Sequence, residues 1–160
     1  MVRPAGFEQR VFVVTTLSST TSPTAAQINA GVEITADLPA PVNLSGTTNY
    51  IDTSDISSAQ DKQQTGTISI DNMEFEIYRH KATSQLAYDA LPNGSVRYIV
   101  KFEGGNAPAF GSPIIATNIC DVATVTVGIK TDVSSPRNDS RRVKVPVAVN
   151  AAIDWRSVVA

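Results

Sequence analysis

The residues from Thr65 to Lys81, TGTISIDNMEFEIYRHK, constrain this chain more than any other stretch. Ile68 and Ile70 alternate with Thr67, Ser69 and Asp71, and Met73, Phe75 and Ile77 alternate with Glu74, Glu76 and Tyr78. Successive side chains of a pleated strand point to opposite sides, so a period of two predicts one buried face and one wet face. The parity slips by one residue at Asp71-Asn72. An extra residue there, a β-bulge, lets one long strand keep both apolar sets on the core side. The rival reading is a tight Asp-Asn hairpin that splits the stretch into two short strands. The bulge is favoured, because hairpin turns prefer glycine at their second position. Either way the centre of the protein is a sheet with an acidic outer face.

A chain of 160 residues fits one domain and buries on the order of two-thirds of its unfolded surface. Val and Ile dominate its apolar residues and Ser and Thr are abundant, a mix that suits half-buried strands better than helices. The net charge of −2 gives no global attraction for nucleic acid or an anionic membrane. One cysteine, Cys120, excludes an internal disulfide and a four-cysteine zinc site. The N-terminus lacks a signal-peptide layout, and no apolar run reaches membrane-spanning length. The Asn-x-Ser sequons at Asn43, Asn93 and Asn138 are read as chance.

In chain order, residues 1–10 read as an N-terminal arm. Val11 to Leu17 is a β-branched strand, buried on both faces in its middle. Ser22 is expected to cap a short helix with Pro23 at its first position, and Gly31 to stop it. Val32 to Ile34 begins another strand. Residues 36–64 show no sustained period; a strand around Tyr50-Ile51 apart, they read as a long loop, and loops of that length tend to be functional or disordered. A helix is expected between Ala82 and Leu91, capped by Thr83 or Ser84, stopped by Pro92-Asn93-Gly94, and laying Leu86, Ala87, Ala90 and Leu91 on the sheet. Strands follow at Val96–Phe102, Val122–Lys130 and Val143–Val149. Pro146 points away from the valine face, which places an edge or an unpaired segment beside it. Residues 150–160 form a tail that docks or extends.

Candidate chemistry is sparse. His80, the only histidine, has no nucleophile and orienting carboxylate in a recognised motif, so it reads as a surface or turn residue. Cys120 reads as a buried structural thiol. The acidic run Asp52-Thr53-Ser54-Asp55, with Asp61 beyond, lacks calcium-loop spacing and reads as turn and capping residues. Gly104-Gly105 carries no phosphate-loop pattern. Arg137, Arg141, Arg142 and Lys144 form a basic cluster, for which pairing with Glu74 and Glu76, within or between subunits, is the preferred reading. These residues imply no enzyme, no cofactor and no metal.

The order of these elements and their local wording resemble one family over nearly the whole chain. Pro4-Ala5-Gly6 leads into VFVVTT and SPTAAQINAG; a long loop then ends near Tyr50-Ile51-Asp52-Thr53-Ser54-Asp55. GTISIDNMEFEIYRH, AYDAL, GSVRYIVKFEGG and VKVPVAV follow in turn. The chain resembles the major tail tube proteins of long-tailed bacteriophages, of the kind common in phages of actinobacteria. That resemblance implies an all-β fold of 1–160, a two-sheet sandwich or barrel with a flanking helix. It implies six copies in a ring with a continuous β-lined channel, and rings stacked around a tape-measure protein. Tail terminator and tail-tip proteins are the other implied partners. The genome passes through without specific binding. The implied location is the virion tail, after synthesis in the bacterial cytoplasm. Contractile tails and type VI secretion tubes share this fold.

On this resemblance Asp71, Glu74 and Glu76 are candidates for the channel lumen, where an acidic wall repels passing DNA. Pro39, Pro41, Val42, Asn43, Leu44, Ser45 and Gly46 are candidates for the inter-ring loop. Deleting Val42–Gly46 is then expected to abolish stacking and leave the fold intact. Two other classes remain open: another β-sandwich virion protein, such as a minor tail or decoration protein, and a ligand-binding β-module assisted by calcium at Asp52–Asp61. A calcium-dependent melting shift separates the last from the others.

Overall fold

The computed structural model describes residues 9–52, 63–79, 86–104, 107–133 and 141–160. The expectations for arm residues 1–8, for Thr53 to Asp61, for His80 and Lys81, for the Thr83 or Ser84 cap, for Gly105 and for Arg137 lie outside the described residues. In chain order the elements are β1 (Gln9–Val14), α1 (Ala25–Asn29), β2 (Val32–Glu33), a 3-10 turn (Thr35–Asp37), β3 (Gly46–Asp52), β4 (Gln63–Ile70) and β5 (Met73–Tyr78). They continue with α2 (Leu86–Ala90), β6 (Val96–Glu103), β7 (Ile119–Val127), β8 (Thr131–Val133), β9 (Arg142–Val149) and β10 (Asp154–Val158). The fold is all-β, as the β-branched composition implies.

Eight strands form one antiparallel sheet in the order β2-β1-β6-β7-β9-β5, with β10 added to β7 and β8 to β9. Both faces of this sheet are covered, which its alternating sequences show only in part. On one face Val11, Ile99, Val125, Val145 and Ile77 pack under Ile34, Val42, Leu44 and the α2 residues Ala87 and Leu91. On the other, Phe12, Val100, Phe102 and Val122 pack under Ile28 of α1, Ile114 and Val159. Phe12 and Phe102 meet edge to face with centroids 6.0 Å apart, a favoured geometry for two ring quadrupoles. β6 therefore buries Ile99 and Lys101 as well as Val100 and Phe102.

The central stretch departs from both sequence readings. β4 pairs only with β3, in a separate two-stranded sheet, whereas β5 pairs with β9 in the large one. Asp71-Asn72 is neither a bulge nor a hairpin turn but the joint at which the chain changes sheets. The parity slip is real, and it frees Ile68 from the core: that side chain is 69% exposed. The joint is held by Asp71, whose N–H donates to the Ser45 carbonyl at 3.2 Å and whose carboxylate accepts from Ser45 Oγ and Thr47 Oγ1.

Smaller corrections share a cause, which is tertiary contact. The helix cap is Thr24, whose side chain accepts from Gln27 N, and not Ser22. Pro23 lies outside the helix because its carbonyl is taken by Ala160 N at 2.9 Å. The tail docks: β10 pairs with β7, and Ala160 O accepts from Ala25 N at the start of α1. The arm is shorter than expected, since Gln9 and Arg10 already belong to β1. Leu86 faces solvent and does not join the stripe of Ala87 and Leu91, and β7 ends at Val127, before the exposed Ile129. Pro146 sits, as expected, beside an unpaired segment, where the neighbour of β9 changes from β8 to β7.

Arg10, only 4% exposed, anchors one side of the sheet. Its Nε and Nη2 donate to the two oxygens of Glu33 at 2.9 and 2.8 Å, and its Nη1 donates to the carbonyls of Ala109 and Ser112. A forked, charge-assisted pair of this kind fixes geometry as well as charge. Removing it strands a carboxylate and two carbonyls.

Replacing Phe102, which is fully buried, with alanine is expected to cost about 3–5 kcal/mol through lost contact and a cavity. Ile68→Ala, at an exposed position, is expected to change stability by less than about 0.5 kcal/mol. Urea midpoints of the two variants check both values, and comparable losses would contradict the assignment of Ile68 to the surface.

Candidate assembly surface

Gly46 to Ile70 supplies the least self-sufficient part of the molecule. β3 (GTTNYID) and β4 (QQTGTISI) form a ribbon with a single charged residue, Asp52. Its register runs from Gly46↔Ile70 through Thr48↔Ile68 to Asp52↔Gln63, with a shift between Thr48 and Tyr50. That register puts Ile70, Ile68 and Tyr50 on one face and Ile51 on the other. A β-carbon at Gly66 would stand 2.9 Å from Ile51 Cγ1 and 3.1 Å from the Asn49 carbonyl, so the irregular position takes glycine. Tyr50, Ile51 and Ile68 are 66%, 57% and 69% exposed.

A two-stranded ribbon is at best marginally stable in water by itself. One with little charge, whose strands pair only with each other among the described residues, is a template for further pairing. The sequence reading places strand around Tyr50-Ile51 and from Thr65 to Ile70, but not their pairing with each other. Among the described residues both faces are largely exposed, with Ile70 packed against the core, so only Ile68 and Ile70 carry an apolar alternation. The signal that was available is the β-branched content of TTNYI and TGTISI.

Beside the base of the ribbon lies a groove of about 460 Å³ between residues 39–45 and the β5 residues Met73 to Glu76, with Arg142 at its rim. Most of the inter-ring candidates line it: Pro39, Pro41, Val42, Asn43 and Ser45. They are not a projecting loop. Val42 and Leu44 are buried in the core, and Val42 is clamped by the Gln9 side chain, which donates to its carbonyl at 2.9 Å and accepts from its N–H at 2.8 Å. Deleting Val42–Gly46 would therefore remove core residues, contrary to the expectation that the fold survives. Gly46 opens β3.

The three lumen candidates separate. Asp71 belongs to the joint. Glu74 and Glu76 lie on the outward face of β5, opposite Pro146 and Lys144 of β9. Each reaches diagonally to a cation: Lys144 Nζ to Glu74 at 2.9 Å and Arg142 Nη1 to Glu76 at 3.1 Å. Two members of the basic cluster thus pair with the acidic strand inside one chain, while Arg141 is exposed. The face is a neutral charge ladder and not an acidic surface.

Neighbouring cations are also engaged. Arg79 meets Asp132 at 3.4 Å and lies over the Tyr88 ring, and Lys130 sits 3.7 Å from the centroid of the same ring while donating to the Tyr88 carbonyl. Burial pulls the Lys130 amine below its usual range, against the pull of Asp89. Cys120 is buried, and desolvation, with the Asp121 charge second, pushes its thiol up to about 12. A thiol so raised is protonated at neutral pH and a poor nucleophile. Among the described residues no cluster of three metal-ligating side chains occurs, and no helix is long and apolar enough to cross a membrane.

Residues 5–160 match a family model described as phage tail tube protein. No curated protein matches the chain.

The hydrogen bond that Lys144 donates to Glu74, and then the Glu74 charge, raise the Lys144 amine above 10.5. A raised cation contributes stability that is complete below its unfolded value and is lost as pH climbs through the folded one. Wild type is therefore expected to weaken more steeply above pH 10.5 than Glu74→Gln, in urea midpoints measured on both sides of that pH. Coupling between Glu76 and Arg142 in a double-mutant cycle is expected to be no more than about 1 kcal/mol, since both side chains keep solvent contact.

Proposed function

The chain belongs to the phage tail tube protein family, and from that premise we propose that six copies close into a ring and that rings stack into the tube through which the genome leaves the particle. The observation that carries this reading is the β3–β4 ribbon. It exposes Tyr50, Ile51 and Ile68, holds almost no charge, and among the described residues pairs only with itself. Its apolar face needs another protein surface to cover it, and a tube of identical chains supplies one at every subunit. β5 supports the same reading, because it ends the strand order of the large sheet and, among the described residues, pairs with β9 alone.

In this reading the ribbon makes the ring-to-ring or subunit-to-subunit reach, and residues 39–45 are the wall against which a neighbour seats. Lumen candidates Asp71, Glu74 and Glu76 line the path of the DNA beside the cations that neutralise two of them. A wall so balanced offers no line of unpaired cations to hold phosphates, which suits passage without binding. Arg141 and Arg137 are the basic residues proposed for contacts between subunits. The role is structural and not enzymatic. The proposed companions are the tape-measure, tail terminator and tail-tip proteins, within a virion tail whose subunits are made in the host cytoplasm.

Negative-stain electron microscopy with light scattering, across a concentration series, tests the reading. Hollow rings or tubes are expected, with or without the tail-tip complex and tape-measure protein as initiator. The double variant Tyr50→Asp, Ile68→Asp is expected to stay monomeric while melting within about 2 °C of wild type, because both side chains lie outside the core. A chain that remains monomeric with every initiator present would overturn the assembly reading. Tubes formed by the double variant would remove the ribbon from it.

A further inference from the structure

Asn93-Gly94 is absorbed neither by the core nor by the assembly surface. The sequence uses it to end α2 and to turn the chain into β6. Its chemistry is distinctive, because a glycine nitrogen carries the least steric protection against approach to a preceding asparagine side chain. We propose that Asn93 is a deamidation site that the fold holds closed through one backbone hydrogen bond.

The reaction needs no partner but water. The Gly94 nitrogen gives up its proton to solvent and attacks Cγ of Asn93. The C–N bond of the side-chain amide breaks, and ammonia leaves. The resulting five-membered succinimide is opened by water at either carbonyl, giving aspartate or isoaspartate. Nothing is oxidised or reduced. The product adds a negative charge, and as isoaspartate it also adds a methylene to the main chain just before β6.

The structure separates the two reacting groups by environment. The electrophile is open: Asn93 is exposed in a turn closed by Ser95 N and Ser95 Oγ, which both donate to the Pro92 carbonyl, at 3.2 and 2.6 Å. Gly94 has φ +75°, with nothing within 4 Å of the place a β-carbon would take. The nucleophile is tied down. Gly94 N donates to the Val127 carbonyl at 2.7 Å, and Val127 N returns a bond to the Ser95 carbonyl at 2.9 Å.

Val127 is the last residue of β7, 1% exposed, and its other edge faces Val147 of β9. Releasing the Gly94 nitrogen therefore means parting the end of the β6–β7 ladder, beside a core position. The labile amide sits on the surface, but its rate is set by the opening of the sheet beneath it.

The test incubates the purified full chain at mildly alkaline pH, native and unfolded in urea, and follows peptides containing residue 93 by mass spectrometry with isoaspartyl-methyltransferase labelling. Amide hydrogen exchange of Gly94 is measured in parallel. Deamidation at Asn93 is expected to be slower in the native chain by about tenfold or more, with the Gly94 N–H protected like the β6–β7 ladder. A slowdown of less than about tenfold, or a Gly94 amide exchanging as fast as an open turn, would overturn the proposal.

Discussion

A single nine-residue strand serves three neighbours, and the large sheet depends on it. β7 pairs with β6 along one edge; along the other it meets β10 near its start and β9 near its end. An edge divided in this way requires the flanking strands to stop where the other begins. Asn150 sits at that handover, its N–H donating to the Thr124 carbonyl at 2.9 Å between the β9 and β10 pairings, and Gly128 and Pro146 close the opposite end of the β7–β9 ladder. Gly128 N donates to the Pro146 carbonyl at 2.7 Å, and a β-carbon on Gly128 would stand 3.0 Å from the proline ring. The proline has no N–H to return to Gly128, and the β7–β9 ladder ends there. The tail docks for a related reason, since without β10 the first half of β7 would present an open edge with buried residues on it.

Strands that bury at least one face were legible in the sequence, because a period of two survives wherever one side meets a core. β5, β6, β7 and β9 all announce themselves in this way, and the ion pairs between β5 and β9 follow from the same alternation. What escaped was structure whose reason lies elsewhere in the chain. Among the described residues the ribbon is largely exposed on both faces, and its short Ile68–Ile70 rhythm does not say which strand it pairs with. The slip at Asp71-Asn72 was visible, but a slip says only that a face changes, not that the chain leaves for another sheet. Ser22-Pro23 has the wording of a helix start, yet the docked C-terminus takes the Pro23 carbonyl. Of the candidate site, the residues were largely found and their roles mixed. Val42 and Leu44 look like loop residues following two prolines, and only their burial, with the Gln9 clamp on Val42, reveals that they close the core.

The electrostatics are local. Charges that a sequence would assign to an acidic face and a basic cluster cancel across one strand pair, so the net charge of −2 says little about any one surface. Buried charge follows the same logic at the far end of β6. Lys101, 4% exposed, lies 2.8 Å from Glu103 and 4.0 Å from Asp121, and the Lys101 hydrogen bond is the chief cause that holds the Glu103 carboxyl below 4.5. A carboxyl lowered in this way contributes stability above its unfolded value and loses it as pH falls through the folded one. The protein thus places most of its paired charge against strands that cross the core, and leaves Asp52 as the one charged residue of the ribbon strands.

The lone thiol has a practical corollary. Cys120 faces the core, donates weakly to the Ser157 carbonyl and is held protonated by its surroundings. Maleimide chemistry on the folded chain will pass it by. A second cysteine placed on the exposed ribbon would then be the single addressable sulfur in a protein that needs no cysteine removed. Dyes, metals or enzymes could be displayed at fixed intervals along any polymer the chain forms, and late labelling of Cys120 would report how often β10 lifts from β7.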